Sequence, residues 1–266
     1  LRFGDIVATL GVLVPIAFAL AMPAEARRTA REAESKARVA DFLQELFKVS
    51  NPSEARGNSI TARELLDRSA AKMRGSLTDD PRVRADLMQV MGTVYMNLGL
   101  YPQAEPLLQE GLEARRRLLG EEHPDTLAAA QAMGLLLDLS GRLKEAEALN
   151  RQVLEARTRA LGPDHPDTLK SMNALANSYG RQERFEEAEK LHRQVLAARQ
   201  RVLGPDHPDT LPTMLGLASA CADLGRLEEA ESLARQALEI SQRTLGADHP
   251  VTLQAMVSLA NAVSQQ

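Results

Sequence analysis

Four histidines recur at a single spacing. His123, His165, His207 and His249 stand 42 residues apart, each is followed by a proline, and three are followed by Asp125, Asp167 and Asp209 one residue further on. Imidazole and carboxylate are ordinary zinc ligands, so the set reads at first as a ladder of metal sites. Distance decides against that reading. A 42-residue step accommodates a pair of helices, and packed helices lie on the order of 10 Å apart, whereas a zinc–nitrogen bond spans about 2 Å. One histidine per stacked pair cannot converge on one ion, and a histidine just ahead of a proline is better placed to cap a helix. Cys221 is the single cysteine. It has no partner for an intrachain disulfide and reads as a small packed hydrophobe. His192 has no candidate nucleophile near it in sequence, and the carboxylates follow the spacing of solvated helix surfaces. The chain therefore reads as non-enzymatic, with no catalytic residue, no cofactor and no metal.

The elements that carry these residues are helical. Over 266 residues the chain is 44% hydrophobic and 3% aromatic, with no tryptophan, and Ala, Leu, Glu and Arg are strong helix formers. The net charge of −4 gives no basic surplus for nucleic acid. The string from Leu161 to Leu169 (LGPDHPDTL) recurs unchanged from Leu203 to Leu211, with near-copies at Leu119–Leu127 and Leu245–Leu253. The same register holds Ala104, Ala146, Ala188 and Ala230, and also Arg117, Arg159, Arg201 and Arg243. Gly99, Gly141 and Gly225 share it too, with Glu183 breaking the series.

Each unit reads as two helices. Leu169, Met172, Leu175 and Tyr179 share one helical face, the stretch from Gly180 to Arg184 breaks it, and a second helix runs from Phe185 to about Val202. Gly204 is its stop. Pro166 opens the first helix, where its missing N–H costs nothing, and Asp167 and Arg201 complement the helix dipoles. The recurring alanine lets the second helix approach the first. One hairpin cannot bury its stripe alone, so the units must stack.

The pattern Leu175-Ala176, Tyr179, Phe185, Ala188 and Val195-Leu196 resembles the tetratricopeptide repeat. The 42-residue variant with LGPDHPDTL linkers is similar to the repeats of kinesin light chain and of many bacterial signalling proteins. The resemblance implies an all-α, right-handed solenoid of helical hairpins over residues 81–266, with units starting near 81, 124, 166, 208 and 250. It also implies a protein–protein interaction scaffold whose first helices line a concave groove for a protein or peptide partner. Mapped by repeat position, that groove presents Gln89, Gln131 and Asn173, then Thr93, Asn177, Ser219 and Asn261, with Lys170 and Arg181 adding charge. Amides suit the task because they both donate to and accept from the backbone of an extended peptide.

Ahead of the array, residues 1–24 contain an uncharged run of 17 residues, Ile6 to Met22. At 1.5 Å per residue it spans about 25 Å, close to the bilayer core, and it reads as a transmembrane helix or, through Ala19-Leu20-Ala21, as a signal segment. Residues 25–58 read as a charged amphipathic linker helix and loop, with a stripe of Val39, Phe42, Leu43, Leu46 and Phe47. Residues 59–80 read as a capping helix opened by a Thr61/Glu64 capping box.

The stretch from Val39 to Ala70 resembles the segment between membrane helix and repeats in bacterial membrane-anchored serine/threonine protein kinases. That implies the sensory or docking region of such a kinase, with self-association through the anchor and with the repeats outside the cytoplasm. This chain has no Gly-rich loop, HRD or DFG motif, so the catalytic domain would lie upstream. Arg27, Arg28, Arg31, Lys36 and Arg38 after the apolar run would by the positive-inside rule hold the repeats in the cytoplasm, leaving the side of the membrane open. The alternative is a free-standing anchored or exported tetratricopeptide adaptor with no kinase.

Overall fold

The computed structural model describes residues 80–265. The chain divides into two compact parts, 1–91 and 92–266. In the first, the described stretch opens helix α1 (Pro81–Asn97), and Val83, Leu87, Met88 and Met91 on it are buried. Asp80 caps this helix, its Oδ1 accepting from the Arg82 N–H at 3.0 Å. The segments expected at 1–24, 25–58 and, apart from Asp80, 59–80 lie outside the described residues. The second part continues α1 and carries α2 (Tyr101–Leu119), α3 (Pro124–Leu139), α4 (Leu143–Leu161), α5 (Pro166–Arg181), α6 (Phe185–Leu203), α7 (Leu211–Asp223), α8 (Leu227–Leu245) and α9 (Pro250–Ser264). Among the described residues every regular element is helical.

The boundaries follow from local chemistry. His123, His165, His207 and His249 each sit in extended backbone. Their Nδ1 atoms accept the backbone N–H of Asp125, Asp167, Asp209 and Val251 at 3.1–3.2 Å. The imidazole thus does what a Ser or Asp cap does elsewhere, and the proline that follows fills the position where no N–H is needed.

One unit departs from the pattern. Where the others begin directly as α-helix, Pro208–Thr210 forms a single 3₁₀ turn and α7 starts at Leu211. Pro212 has no N–H to give the Pro208 carbonyl four residues back. The Leu211 N–H takes that carbonyl instead, tightening the first turn.

The two helices of a hairpin meet through a left-handed residue: Gly99 (φ 72°), Gly141 (79°), Gly225 (77°) and, in the third unit, Glu183 (φ 61°). The N–H two positions after Gln182, on Arg184, closes the turn onto the Tyr179 carbonyl at 3.0 Å. Arg142 does the same with Leu137, and Arg226 with Cys221. That is the helix-ending loop which favours glycine, and Glu183 takes it at a steric cost on the order of 1 kcal/mol.

Ala104, Ala146, Ala188 and Ala230 are completely shielded, at 0–1% exposure. No larger side chain fits there without separating the helices. Cys221 is fully buried as well, and burial pushes its thiol up to about 11.

Stacking is continuous through the second part. α3 packs on α4, α4 on α5, α5 on α6, α6 on α7, α7 on α8 and α8 on α9. First helices also touch the first helices of neighbouring units (α3 with α5, α5 with α7, α7 with α9), while the second helices have no comparable mutual contact. Helices that approach more closely on one side of a stack bend it toward that side, so α3, α5, α7 and α9 line the inner face.

Candidate functional site

The inner face is assembled from one strip of each first helix. Successive units place Leu135, Asn177, Ser219 and Asn261 at one repeat position, and all four are exposed. Lys170 and Arg181 flank Asn177 on α5 and are exposed too. The floor between them is small: Ala132, Ala174 and Gly216 occupy equivalent places on α3, α5 and α7. This surface therefore offers hydrogen-bonding amides and a hydroxyl, two cations, and an apolar step at Leu135, which is 45% exposed. The sequence reading passed over Leu135. Its signal was the 42-residue register with Asn177, masked by the habit of assigning a leucine to the core.

The other expected groove residues are placed differently. Gln89 and Thr93, on α1, are half-buried. Gln131 accepts through Oε1 from the guanidinium of Arg157, and its Nε2 reaches toward the Lys170 carbonyl at 3.5 Å. Asn173 requires a correction. Its side chain is buried, with Oδ1 lying 3.2 Å from His192 Nδ1, so its amide belongs to the seam between helices and not to the presented surface. A one-residue rotation around α5 separates an exposed position from a buried one, and only packing against α6 sets that rotation.

Beneath this face lie charged groups that sequence reasoning missed. Arg157 and Arg199, 42 residues apart, are buried in the seam between one unit's second helix and the next unit's first. Arg157 Nη1 donates to the Asp167 carbonyl (3.0 Å) and to Ser171 Oγ (2.8 Å). Arg199 Nη1 repeats this with the Asp209 carbonyl (2.6 Å) and Thr213 Oγ1 (2.7 Å). Burial pulls both guanidinium pKa values down, but their acceptors hold them charged, and each staples the first turn of the following unit. The 42-residue register with Arg115 was the available signal.

Two further polar seams are specific to single units. His192 is buried, and burial, with the Arg199 charge adding, pushes its pKa down to about 4. Asp138 is buried against α5, where Ser178 Oγ donates to its Oδ2 at 2.7 Å and itself accepts from Asn150 Nδ2 at 2.9 Å. Burial raises the Asp138 pKa, and the Ser178 hydrogen bond and the Arg181 charge only partly offset that.

Ion pairs recur with the repeat, exposed at the entry loops and part-buried where Glu147 and Glu189 take part. Arg159–Glu122, Arg201–Asp164 and Arg243–Asp206 (2.6–2.8 Å) tie the end of each second helix to its own unit's entry loop. Arg184–Glu147 (2.9 Å), with Arg142–Glu105 and Arg226–Glu189 in the same register, link successive units. The exposed entry-loop pairs contribute roughly 0–1 kcal/mol each, so they set register more than stability.

The donor set closest to a metal site among the described residues is Glu189, Cys221 and Glu229, whose ligand atoms lie within 4.8 Å of one another. Arg193 already bridges the two carboxylates at 2.8 and 2.7 Å, and Arg226 also holds Glu189. The acidic charge is neutralised by guanidinium, and the thiol is disfavoured as thiolate. Among the described residues no helix is long and apolar enough to cross a membrane; the run 6–22 lies outside them.

The tetratricopeptide-repeat family pattern matches residues 83–159, 140–201, 174–241 and 212–266. The chain belongs to the tetratricopeptide repeat family. Among solved structures it is similar to a Podosopora anserina protein of nearly identical TPR-like repeats assigned to the kinesin light chains, at 29% identity and TM-score 0.57, over 71% of this chain and 89% of that one. Two more distant structures share the fold. They are BtubC (BKLC) from P. vanneervenii (20% identity, TM-score 0.58, 88% and 92% covered) and Bacillus thuringiensis PlcR in complex with a peptide and DNA (16%, TM-score 0.52, 87% and 91%). No curated protein matches the chain significantly. A tetratricopeptide solenoid is a protein–protein interaction scaffold, and the kinesin-light-chain-like repeats expected from the linkers are present.

Proposed function

We propose that the array holds an extended segment of a partner protein against the face built by α3, α5, α7 and α9. The observation that carries this reading is the exposed row Leu135, Asn177, Ser219 and Asn261, one residue per unit. A strand laid across it meets an apolar contact at one end and amide or hydroxyl partners along the rest. Lys170 and Arg181 add preference for negative charge near Asn177. The chain acts by binding and has no chemistry of its own.

A peptide selected from a random library on the full chain supplies the test. Asn177→Ala with Lys170→Ala should weaken it about tenfold, the loss of one or two hydrogen bonds to a charged or amide group. Gln194→Ala on the outer face of α6 should leave affinity unchanged. Equal affinity in the inner-face variant sinks the groove assignment.

The finer reading is that this scaffold is the docking region of a bacterial membrane-bound serine/threonine kinase, with residues 6–22 as anchor and the array outside the cytoplasm. What supports it is the resemblance of residues 39–70 to that family and the uncharged run ahead of them. Sequencing the DNA upstream of the Leu1 codon tests it. An in-frame Gly-rich loop with HRD and DFG motifs would support it, and a start codon within a few residues would leave the anchored or exported adaptor.

A further inference from the structure

The exposed arginines of the second helices are all engaged. Arg151, Arg159, Arg193, Arg201, Arg235 and Arg243 on α4, α6 and α8 each hold a carboxylate. Arg181, on the inner face of α5, is exposed and makes no ion pair among the described residues. The buried Asp138 feels its charge without pairing to it. Lys170, further back on α5, already has Asp167 at 3.5 Å. Asp223 stands 42 residues after Arg181, at the same repeat position on α7, and is exposed as well. Ser219, one turn earlier, donates a hydrogen bond to its carboxylate, and among the described residues no arginine or lysine pairs with it. α5 and α7 touch, yet these two opposite charges do not close on each other.

The inner face therefore changes character from unit to unit along a single repeat position. The second unit has the half-buried Leu139 there, one turn beyond the exposed Leu135; the third has Arg181, the fourth Asp223 and the last Gln265. Residues four apart share a helix face, so this series runs beside the row of Leu135, Asn177, Ser219 and Asn261. Helices in contact lie about 10 Å apart, and an extended chain rises about 3.3 Å per residue. Side chains of an extended segment that meet neighbouring first helices are thus about three residues apart. A segment laid over Arg181 and Asp223 takes water from both, and a charge left without its counterpart then costs affinity. Each of the two residues rejects the wrong sign as well as favouring the right one.

We propose that the inner face selects an extended partner segment carrying, in this order, an apolar side chain on Leu135, an acidic one at Arg181 and a basic one at Asp223, with about three residues between successive contacts. This selection rests on the inner face being the groove proposed above, and it makes Arg181 and Asp223 the specificity-determining pair. Asp223 excludes the uniformly acidic segments that Lys170 and Arg181 alone would accept.

A random linear peptide library selected on the full chain and sequenced is the probe. The expected result is enrichment of segments with the apolar, acidic and basic residues in that order and spacing. Replacing the basic residue of an enriched peptide by glutamate should weaken it about tenfold, and Asp223→Lys in the chain should restore it. Reselection on the Asp223→Lys chain should enrich an acidic residue where the original enriches a basic one. Arg181→Gln should lose the preference for the acidic residue and keep that for the basic one. Both positions are exposed, and an unchanged melting curve shows that each variant folds.

Enriched peptides that are acidic throughout, or have no fixed charge order, would overturn this selection; if Asn177→Ala with Lys170→Ala still weakens them, the groove itself stands. A charge order that Asp223→Lys leaves unaltered would overturn it too, because the preference then arises elsewhere on the chain. No enrichment, or binding indifferent to Asn177→Ala with Lys170→Ala and to the Asp223 variant, would sink the groove and this selection together.

Discussion

Two side chains at the same repeat position close two different seams, one within a unit and one between units, and are of opposite character. Four residues after the invariant small alanine stand Leu108, Asn150, His192 and Ala234 in successive units. At the first, Leu108 settles over Gly92, where an added Cβ would lie 2.6 Å from its Cγ. At the third, His192 settles over Gly216 of the following unit, where a Cβ would lie 2.6 Å from its Cε1, and it takes Asn173 as hydrogen-bond partner. Both seams close because a large side chain meets a glycine, whatever the chemistry of that side chain. Shape is therefore the requirement at this position and polarity is negotiable, provided a buried polar group finds a partner. The polar solution carries a liability that the apolar one lacks, namely sensitivity to pH.

The largest expected effect exposes that liability. The folded His192 pKa of about 4 lies below its ordinary value of 6.5. The neutral form is therefore the folded form, and its contribution is present above pH 6.5 and lost as pH falls through 4. Full protonation costs about 3 kcal/mol by linkage. His192→Leu, the residue of the Leu108 seam, should remove most of the decline in melting temperature between pH 6.5 and 4. If the decline persists unchanged, the seam is not its source.

Next in size, Gly216→Ala should destabilise by about 2 kcal/mol through overpacking against the buried ring, and the same change in a His192→Ala background should cost much less. Additive losses in that double-mutant cycle would break the shape argument.

Asp138→Asn sharpens the comparison at the second seam. Asp138 is raised above its ordinary carboxyl range by burial. Its protonated form is thus favoured on folding, and the stability it gives at acid pH is lost as pH rises through the folded value. The amide keeps an acceptor for Ser178 and should stabilise the protein at neutral pH by about 1 kcal/mol, read as a raised denaturation midpoint.

The smallest effect lies outside the seams. Glu183→Gly should add about 0.5–1 kcal/mol by relieving a left-handed non-glycine residue, whereas Gly225→Glu should subtract a similar amount.

Much of the fold was written in the repeat register. The histidine caps, the alanine contacts and the turn glycines were each identifiable, because each answers a local requirement: an acceptor for an orphan N–H, room for a close approach, a left-handed backbone. The family followed from the same residues. The 3₁₀ start of α7 coincides with Pro212, but a proline alone does not forecast it, since α2 carries Pro106 four residues after Pro102 and stays α-helical.

The inner face was half legible. Asn177, Ser219, Asn261, Lys170 and Arg181 are exposed, as a groove would require, but Asn173 turns into the seam and Leu135 turns out of it. Periodicity gives the angle between residues around a helix. It does not give the absolute rotation of that helix, which depends on how Leu169, Leu175 and Tyr179 seat against Ala188 and Val195. The sequence by itself determined that this chain is a stack of helical hairpins and where each hairpin begins. Only the tertiary structure decided that Arg157 and Arg199 are buried staples and that His192 is a core residue, because each depends on which neighbour arrives at a given surface.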